Sequence, residues 1–123
     1  MAEQTKTKFD LEARTGKFAE LVITFAKQIP KNPITLHIIT QFVDSGTSVG
    51  ANYCEADCAE SRKDFEHKLG ICKKEAKETK HWLRVIAIAT PELAPQARVL
   101  WKEADELQRI FIVIINNSRA KRV

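Results

Sequence analysis

The chain has 123 residues and a net charge of +4 at pH 7, and it contains four Gly and four Pro residues. A chain of this length forms one domain with its own hydrophobic core, and few Gly and Pro residues are typical of an all-helical protein. No stretch approaches the ~20 apolar residues of a membrane span, and the N-terminal residues lack the apolar core of a signal peptide. We therefore expect a single domain over 1–123 in the cytoplasm, with its three Cys residues as reduced thiols.

The first predicted helix covers about 10–29. Its inward-facing residues recur at alternating intervals of four and three, from Leu11 through Phe18 to Ile29. This is the period of helices that pack antiparallel in a bundle. Residues 1–9 precede the pattern, and we expect them to be flexible. Pro30 and Pro33 separate this helix from the next, because Pro ends one helix but fits the first turn of another.

The second predicted helix covers about 34–59 and contains a run of small residues from Ser45 to Tyr53. Small residues within a helix indicate either close approach of another backbone or a ligand site, since each Gly costs ~1 kcal/mol of helix propensity. The segment has no Lys, Arg or catalytic partner, so we interpret it as a close helix contact, within the subunit or between subunits. We expect Asn52 to be buried there and to fix register or oligomeric state. The predicted contact residues are Gly46, Ser48, Val49, Gly50, Asn52 and Tyr53.

The third and fourth predicted helices cover about 62–89 and 91–118. Ser61 and Asp64 resemble a capping box at the start of the third helix, and Thr90 is a plausible N-cap with Pro91 in the first turn of the fourth. Both helices keep a regular four-three apolar spacing, which in the fourth runs from Leu93 through Phe111 to Ile114, and all connections are short. The pattern predicts an antiparallel up-down-up-down four-helix bundle, followed by a basic tail at 119–123.

Two segments are apolar on every side, at 85–89 and at 110–115. The second is rich in β-branched residues and could form a buried strand, but the helical seam passes through it in phase and favours a helix. A helix that is apolar all round must be covered all round. We therefore expect the bundle to self-associate through its excess apolar surface.

Basic residues concentrate on the third helix, whereas the second helix has none from Ile34 to Glu60. Part of this asymmetry is expected to be mutual attraction, with Glu55 and Arg62 as a candidate pair. Either the basic stripe is a solvated face with intrahelical acidic partners, or it binds a polyanion, an effect that an oligomer multiplies. Without a nucleic-acid-binding motif, such binding would use backbone phosphates. The candidate phosphate-binding residues are Lys73, Lys74, Lys77, Lys80 and Arg84.

Other chemistry is weakly supported. Cys54 and Cys58 lie four apart, with Cys72 as a third thiol, but the spacing matches no zinc motif and free Cys is usually a small buried hydrophobe. The step from Glu78 to His81 occurs once, whereas di-iron bundles need it on two helices. No paired nucleophile and base or phosphate-binding glycine loop is present. We expect no metal, no cofactor and no enzymatic activity.

Several segments together resemble a known family. They are the run from Ser45 to Tyr53, Glu55-Ala56, the run from Ala59 to Phe65, the run from Lys74 to Thr79, and Trp82-Leu83. They are similar to the bacterial four helix bundle protein family, first noticed as reading frames within intervening sequences of 23S ribosomal RNA genes. The accessory variability protein of diversity-generating retroelements is a more distant relative. The resemblance is densest from about 38 to 86.

The resemblance implies an antiparallel four-helix bundle that assembles as a homopentameric barrel, with no known enzymatic activity. In the retroelement relative, the basic barrel surface binds nucleic acid and a reverse transcriptase. By position this points to the basic stripe of the third helix here, although its residues do not match one by one. Two hypotheses follow: an oligomeric scaffold that binds RNA or DNA, or a protein-interaction scaffold whose basic stripe only aids solubility.

Overall fold

The computed structural model describes the backbone of residues 2–122 and the side chains of residues 11–121. Four long helices fill this range: α1 (Ala2–Gln28), α2 (Thr35–Asp57), α3 (Arg62–Ala89) and α4 (Ala94–Arg122), with a single 3-10 turn at Pro91–Leu93 before α4. No strand occurs within the described residues. The predicted all-α fold is therefore confirmed.

The helix ends differ from the prediction mainly at the two termini. Helix α1 begins at Ala2 rather than near residue 10, and α4 continues to Arg122 through most of the predicted basic tail. The expected flexibility of residues 1–9 concerns side chains outside the described range, and it stays a prediction. The interior boundaries lie within a few residues of those predicted, because Pro residues and the Ser61 cap mark them. Thr90 precedes the 3-10 turn, but its side chain makes no capping hydrogen bond, so the prediction of a Thr90 cap was wrong.

Local hydrogen bonds define the turns between helices. In the first turn, Asn32 Oδ1 accepts from the backbone N–H groups of Ile34 and Thr35 at 2.9 and 3.0 Å, and Thr35 Oγ1 donates to the carbonyl of Pro30 at 2.6 Å. In the second turn, Ser61 Oγ accepts from the Asp64 backbone N–H at 3.0 Å. This bond satisfies an N–H group that lacks an intrahelical partner, so the predicted Ser61 cap is present.

The helices pack in an antiparallel ring. Ser45 contacts Thr79, Val49 contacts Cys72 and Glu55 contacts Lys68, so the partners on α3 descend as those on α2 ascend. Helix α4 pairs with α3 in the same way, and α1 packs on α2. Among the residues that the structure describes, α1 and α4 contact each other much less than the other neighbouring helices do. The up-down-up-down order follows from this packing and from the short turns.

The core decides how the apolar run at 110–115 is folded. Phe111 and Ile115 are buried, whereas Ile112 and Val113 are 38% and 56% exposed. A strand would place residues 111 and 113 on one face, while a helix places 111 and 115 there. The helical interpretation is confirmed, and the buried position is Ile115 rather than the predicted Ile114, which is half-buried.

The small-residue run divides between several neighbours. An added Cβ at Gly46 would lie 2.7 Å from Val22 Cγ2, and one at Gly50 would lie 3.2 Å from the carbonyl oxygen of Thr15. The lack of a side chain at both glycines therefore lets α1 pack closely against α2. Val49 and Tyr53 belong to the core.

Two of the predicted contact residues do not face the core. Ser48 and Asn52 are half-buried, and Asn52 Nδ2 donates to the carbonyl of Ser48 within the same helix at 2.8 Å. In the single chain Asn52 is therefore only half-buried, and its role in register or oligomeric state stays a prediction.

A polar tie spans the weakly packed side between α1 and α4. The Arg14 guanidinium bonds both carboxylate oxygens of Glu103, at 2.8 and 3.0 Å, and lies 3.3 Å from Glu106. These carboxylates raise the pKa of Arg14 above its already high ordinary value. Leu21 and Val99 remain exposed beside this tie, so the α1/α4 side is the open side of the ring.

No described helix combines the length and the apolar character needed to cross a membrane.

Candidate nucleic-acid interface

The predicted basic stripe lies on the side of α3 that faces α4 and solvent. Lys74, Lys77 and Arg84 are exposed, and Lys73 and Lys80 are half-buried at the edge toward α4. The order of these residues along α3 follows directly from the helical repeat, which places positions separated by three or four residues on one side. The five predicted residues therefore share one face of the bundle.

Lys80 differs from the other four because it is tied to α4. Its Nζ lies 2.8 Å from Asp105 Oδ1 and 4.9 Å from the centroid of the Trp101 ring. Asp105 also accepts from Arg109 Nε at 3.0 Å. The hydrogen bond from Lys80 lowers the pKa of the Asp105 carboxyl below its ordinary value. Lys80 therefore joins α3 to α4 and is less available to a phosphate.

The remaining basic residues of the stripe have no ion pair with any residue whose side chain is described. Their neighbours extend the positive surface at both ends. Lys63, His67 and Arg119 line an open depression with Lys73, Lys74 and Glu66, whose carboxylate accepts a hydrogen bond from Ser118. Arg98 of α4 lines a second open depression with Arg84. The sequence pattern of α3 could not reveal Arg98, because its place depends on how α4 packs. The surface named here the basic face comprises Lys63, Lys73, Lys74, Lys77, Arg84, Arg98 and Arg119.

The opposite side of α3 carries the attraction to α2. Lys68 Nζ lies 3.1 Å from Glu55 Oε1, so Glu55 pairs with Lys68 rather than with the expected Arg62. This side also contains a buried contact between the hydroxyls of Ser45 and Thr79, 3.0 Å apart. Part of the negative charge of α2 is thus paired with a basic residue of α3.

Glu75 provides a pH-dependent probe of the α2/α3 contact. Burial raises the pKa of its carboxyl above the ordinary value of 4.5, and the nearby charges of Glu78 and Asp44 act in the same direction. The folded state therefore disfavours the ionised carboxylate. As pH rises from 4.5 through the folded-state pKa, the unfolded chain ionises first and stability falls.

We expect Glu75→Gln to raise the thermal unfolding midpoint at pH 7, because a neutral amide avoids this penalty. The difference from the parent should shrink as pH falls below 4.5, where the parent carboxyl is protonated in both states. Circular dichroism melts over this pH range measure it. Glu20→Gln, at an exposed position of α1, is the control. A lower midpoint for Glu75→Gln at pH 7 would contradict the assignment.

The three thiols have different surroundings. Cys54 and Cys58 are exposed near the end of α2, and Cys72 is fully buried, with its thiol 3.5 Å from the carbonyl oxygen of Val49. Burial raises the pKa of the Cys72 thiol to about 12, so it is an inert core group. Within the described residues, no three Cys, His, Asp or Glu side chains are arranged to hold a metal ion.

The isolated Glu-x-x-His step also serves a local purpose. The indole N–H of Trp82 donates to Glu78 Oε2 at 3.1 Å, and the imidazole of His81 packs edge-on against Trp82 at 4.8 Å between centroids. His37 of α2 contacts the same indole at 6.1 Å. These residues form a polar and aromatic cluster across α2 and α3, on the side of α3 away from α4.

The fold defines an all-α protein built as an antiparallel four-helix bundle with one strongly basic face. The family model described as 23S rRNA-intervening sequence protein matches residues 8–113, and the chain belongs to that family. A crystal structure of a protein of unknown function from the S23 ribosomal protein family of Bacteroides thetaiotaomicron VPI-5482 is similar, with a TM-score of 0.78 and 31% identity. The match covers 85% of this chain and 97% of that one. No curated protein matches the chain.

Proposed function

We propose that this protein is a non-enzymatic, cofactor-free scaffold of the cytoplasm that assembles as a homo-oligomer and binds RNA or DNA through phosphate contacts on its basic face. The carrying observation is the group of cations at Lys73, Lys74, Lys77 and Arg84, which have no ion pair with the described residues and share one side of α3. Clustered unpaired cations bind polyanions by releasing condensed counterions.

The charge distribution supports this role over simple solubility. A solvated face would pair its cations with acids, yet none of Lys73, Lys74, Lys77 and Arg84 forms an ion pair with a described residue. Asp105 forms ion pairs with Lys80 and Arg109. The Glu78 carboxylate accepts a hydrogen bond from the Trp82 indole. The stripe is thus left with excess positive charge.

Assembly is supported by the apolar surface that one chain leaves uncovered. Ile88, Val99, Val113 and Leu36 are 83%, 69%, 56% and 53% exposed, which is costly for large aliphatic side chains. The sparse contact between α1 and α4 adds an open side. We propose a homopentamer on the family resemblance, and light scattering should then give about five times the chain mass of 14.0 kDa.

The binding proposal is tested by titrating structured RNA and duplex DNA at several salt concentrations. Affinity should fall steeply as salt rises, because each phosphate contact releases counterions. The double variant Lys74→Glu with Lys77→Glu should lose roughly tenfold or more in affinity at low salt and should show a shallower salt dependence. Both residues are exposed, so the fold should tolerate the change.

The matched control is Lys27→Glu with Lys31→Glu. It makes the same change in net charge at exposed positions outside α3, at the end of α1 and in the following turn. An equal loss of affinity in the two double variants would show that net charge, rather than the basic face, determines the affinity. Absence of binding at low salt would instead favour the alternative, a protein-interaction scaffold without nucleic-acid binding.

A further inference from the structure

One end of the basic face contains an open surface cavity that no side chain of the bundle fills. It has a volume of about 350 Å³ and lies where α3 meets the start of α4. Ala87, Ala94 and Ala97 lie along it, so methyl groups stand where longer side chains would close the gap between the helices. The size is at the lower end of the range of small-ligand pockets.

An aromatic ring forms part of the cavity wall. Trp101 is half-buried and lines the cavity together with Leu83. The Lys80 ammonium lies over the indole at 4.9 Å from its centroid and is held there by Asp105. This cation–π contact and the ion pair hold the ring in a defined place. A flat partner would therefore pack against the face of the pre-positioned indole that Lys80 does not cover.

Two cationic side chains also line the cavity. Arg84 comes from α3 and Arg98 from α4, and neither forms an ion pair with a described residue. Guanidinium groups suit phosphates because they donate in a planar fork. An apolar wall with an indole and two unpaired guanidinium groups is complementary to a planar aromatic ring that bears a phosphate.

The cavity continues directly into the rest of the basic face. Eleven residues of α3 separate Arg84 from Lys73, or roughly 16 Å along a helix that rises 1.5 Å per residue. Lys77 lies between them on the same side. A few consecutive phosphates of a strand could contact this row while the nucleotide at its end enters the cavity.

We propose that this cavity binds an unpaired base of a nucleic-acid strand, stacked against Trp101, with its phosphate held by Arg84 and Arg98. The preferred ligand is thus a single-stranded segment or an unpaired end rather than a closed duplex, whose bases stay in their stack. This inference rests on the proposed phosphate binding and adds the kind of strand that is bound. Stacking on an aromatic side chain is largely independent of base identity.

Fluorescence tests the stacking directly. Trp82→Phe leaves Trp101 as the only indole, because the chain has two Trp residues, and Trp82 lies on the other side of α3. Single-stranded oligothymidylate should quench the remaining emission, while a strand of equal length without bases should bind through phosphates without comparable quenching. Equal quenching by both strands would overturn the proposal.

Two further variants separate the cavity from the phosphate row. Ala87→Leu fills the cavity from a half-buried position and keeps every charge, and Trp101→Ala removes the ring. Each should weaken single-strand binding about tenfold and leave affinity for blunt duplex unchanged. Unchanged single-strand affinity in Ala87→Leu would overturn the base site but leave the proposed phosphate binding intact. If the parent protein bound no nucleic acid, both the base site and the phosphate binding would be overturned.

A second copy of the chain is the competing occupant. In that case Ala87→Leu would change the assembled mass measured by light scattering, and this outcome would overturn the proposal. An unchanged assembled mass in Ala87→Leu, together with weaker binding of single strands, supports the proposed base site.

Discussion

Phe111→Ala is expected to lower the free energy of unfolding by about 3–5 kcal/mol, the range for truncating a buried Phe. Its side chain is completely buried between the helices, with its ring centroid 6.4 Å from that of Tyr53. The change removes apolar contacts and leaves a cavity where α2 and α4 face each other. Urea denaturation followed by helical circular dichroism measures the loss.

Val113→Ala is the matched control, two residues along the same apolar run. Val113 is 56% exposed on the single chain, so at protein concentrations too low for assembly we expect a change within ~0.5 kcal/mol, as for most surface positions. Repeating both measurements at several protein concentrations separates effects on folding from effects on assembly. Comparable losses at 111 and 113 would contradict the helical phase, because only a strand gives those two positions one environment.

Gly46→Ala is expected to destabilise the protein by about 1–2 kcal/mol, although Ala is the better helix former by ~1 kcal/mol. The new methyl group would lie 2.7 and 2.8 Å from the two Cγ atoms of Val22. Val22 is completely buried, and its β-branched side chain has little rotamer freedom within α1. Relief would therefore require α1 and α2 to separate.

Gly16→Ala and Gly70→Ala provide the controls. A Cβ at either position would meet nothing within 4 Å, and both lie inside helices. Each substitution should therefore stabilise the protein by about 0.5–1 kcal/mol. The opposite signs at Gly46 and Gly16, measured by the same denaturation experiment, would show that packing outweighs propensity at Gly46. If Gly46→Ala instead stabilised the protein, the Val22 side chain would be able to move away from the new methyl group at little cost in free energy.

The sequence predicted the turns and most of the inward-facing positions. Prolines and the Ser61 cap mark chain reversals through local bonds, so the turns were placed within a few residues. The inward positions followed an ideal alternation of three and four residues. A helix of 3.6 residues per turn drifts from that pattern, which near the end of α4 moves Ile115 inward in place of Ile114.

The candidate interface was predicted in outline for a similar reason. The helical repeat alone places Lys73, Lys77 and Arg84 on one side of α3. It could not show that Lys80 is tied to Asp105, or that Arg98 and Trp101 join the same surface. Those facts depend on the register between α3 and α4, which is set by side-chain packing across the two helices.

The sequence by itself determined the helical class, the turns, the family resemblance and the uneven distribution of charge, because each depends on residues near one another along the chain. Only the tertiary structure decided which glycines admit α1, which cations remain unpaired, and where a cavity remains beside Trp101. These features are contacts between residues far apart in the chain. Their geometry follows from how four long helices fill a common core, and a single helical pattern does not contain that information.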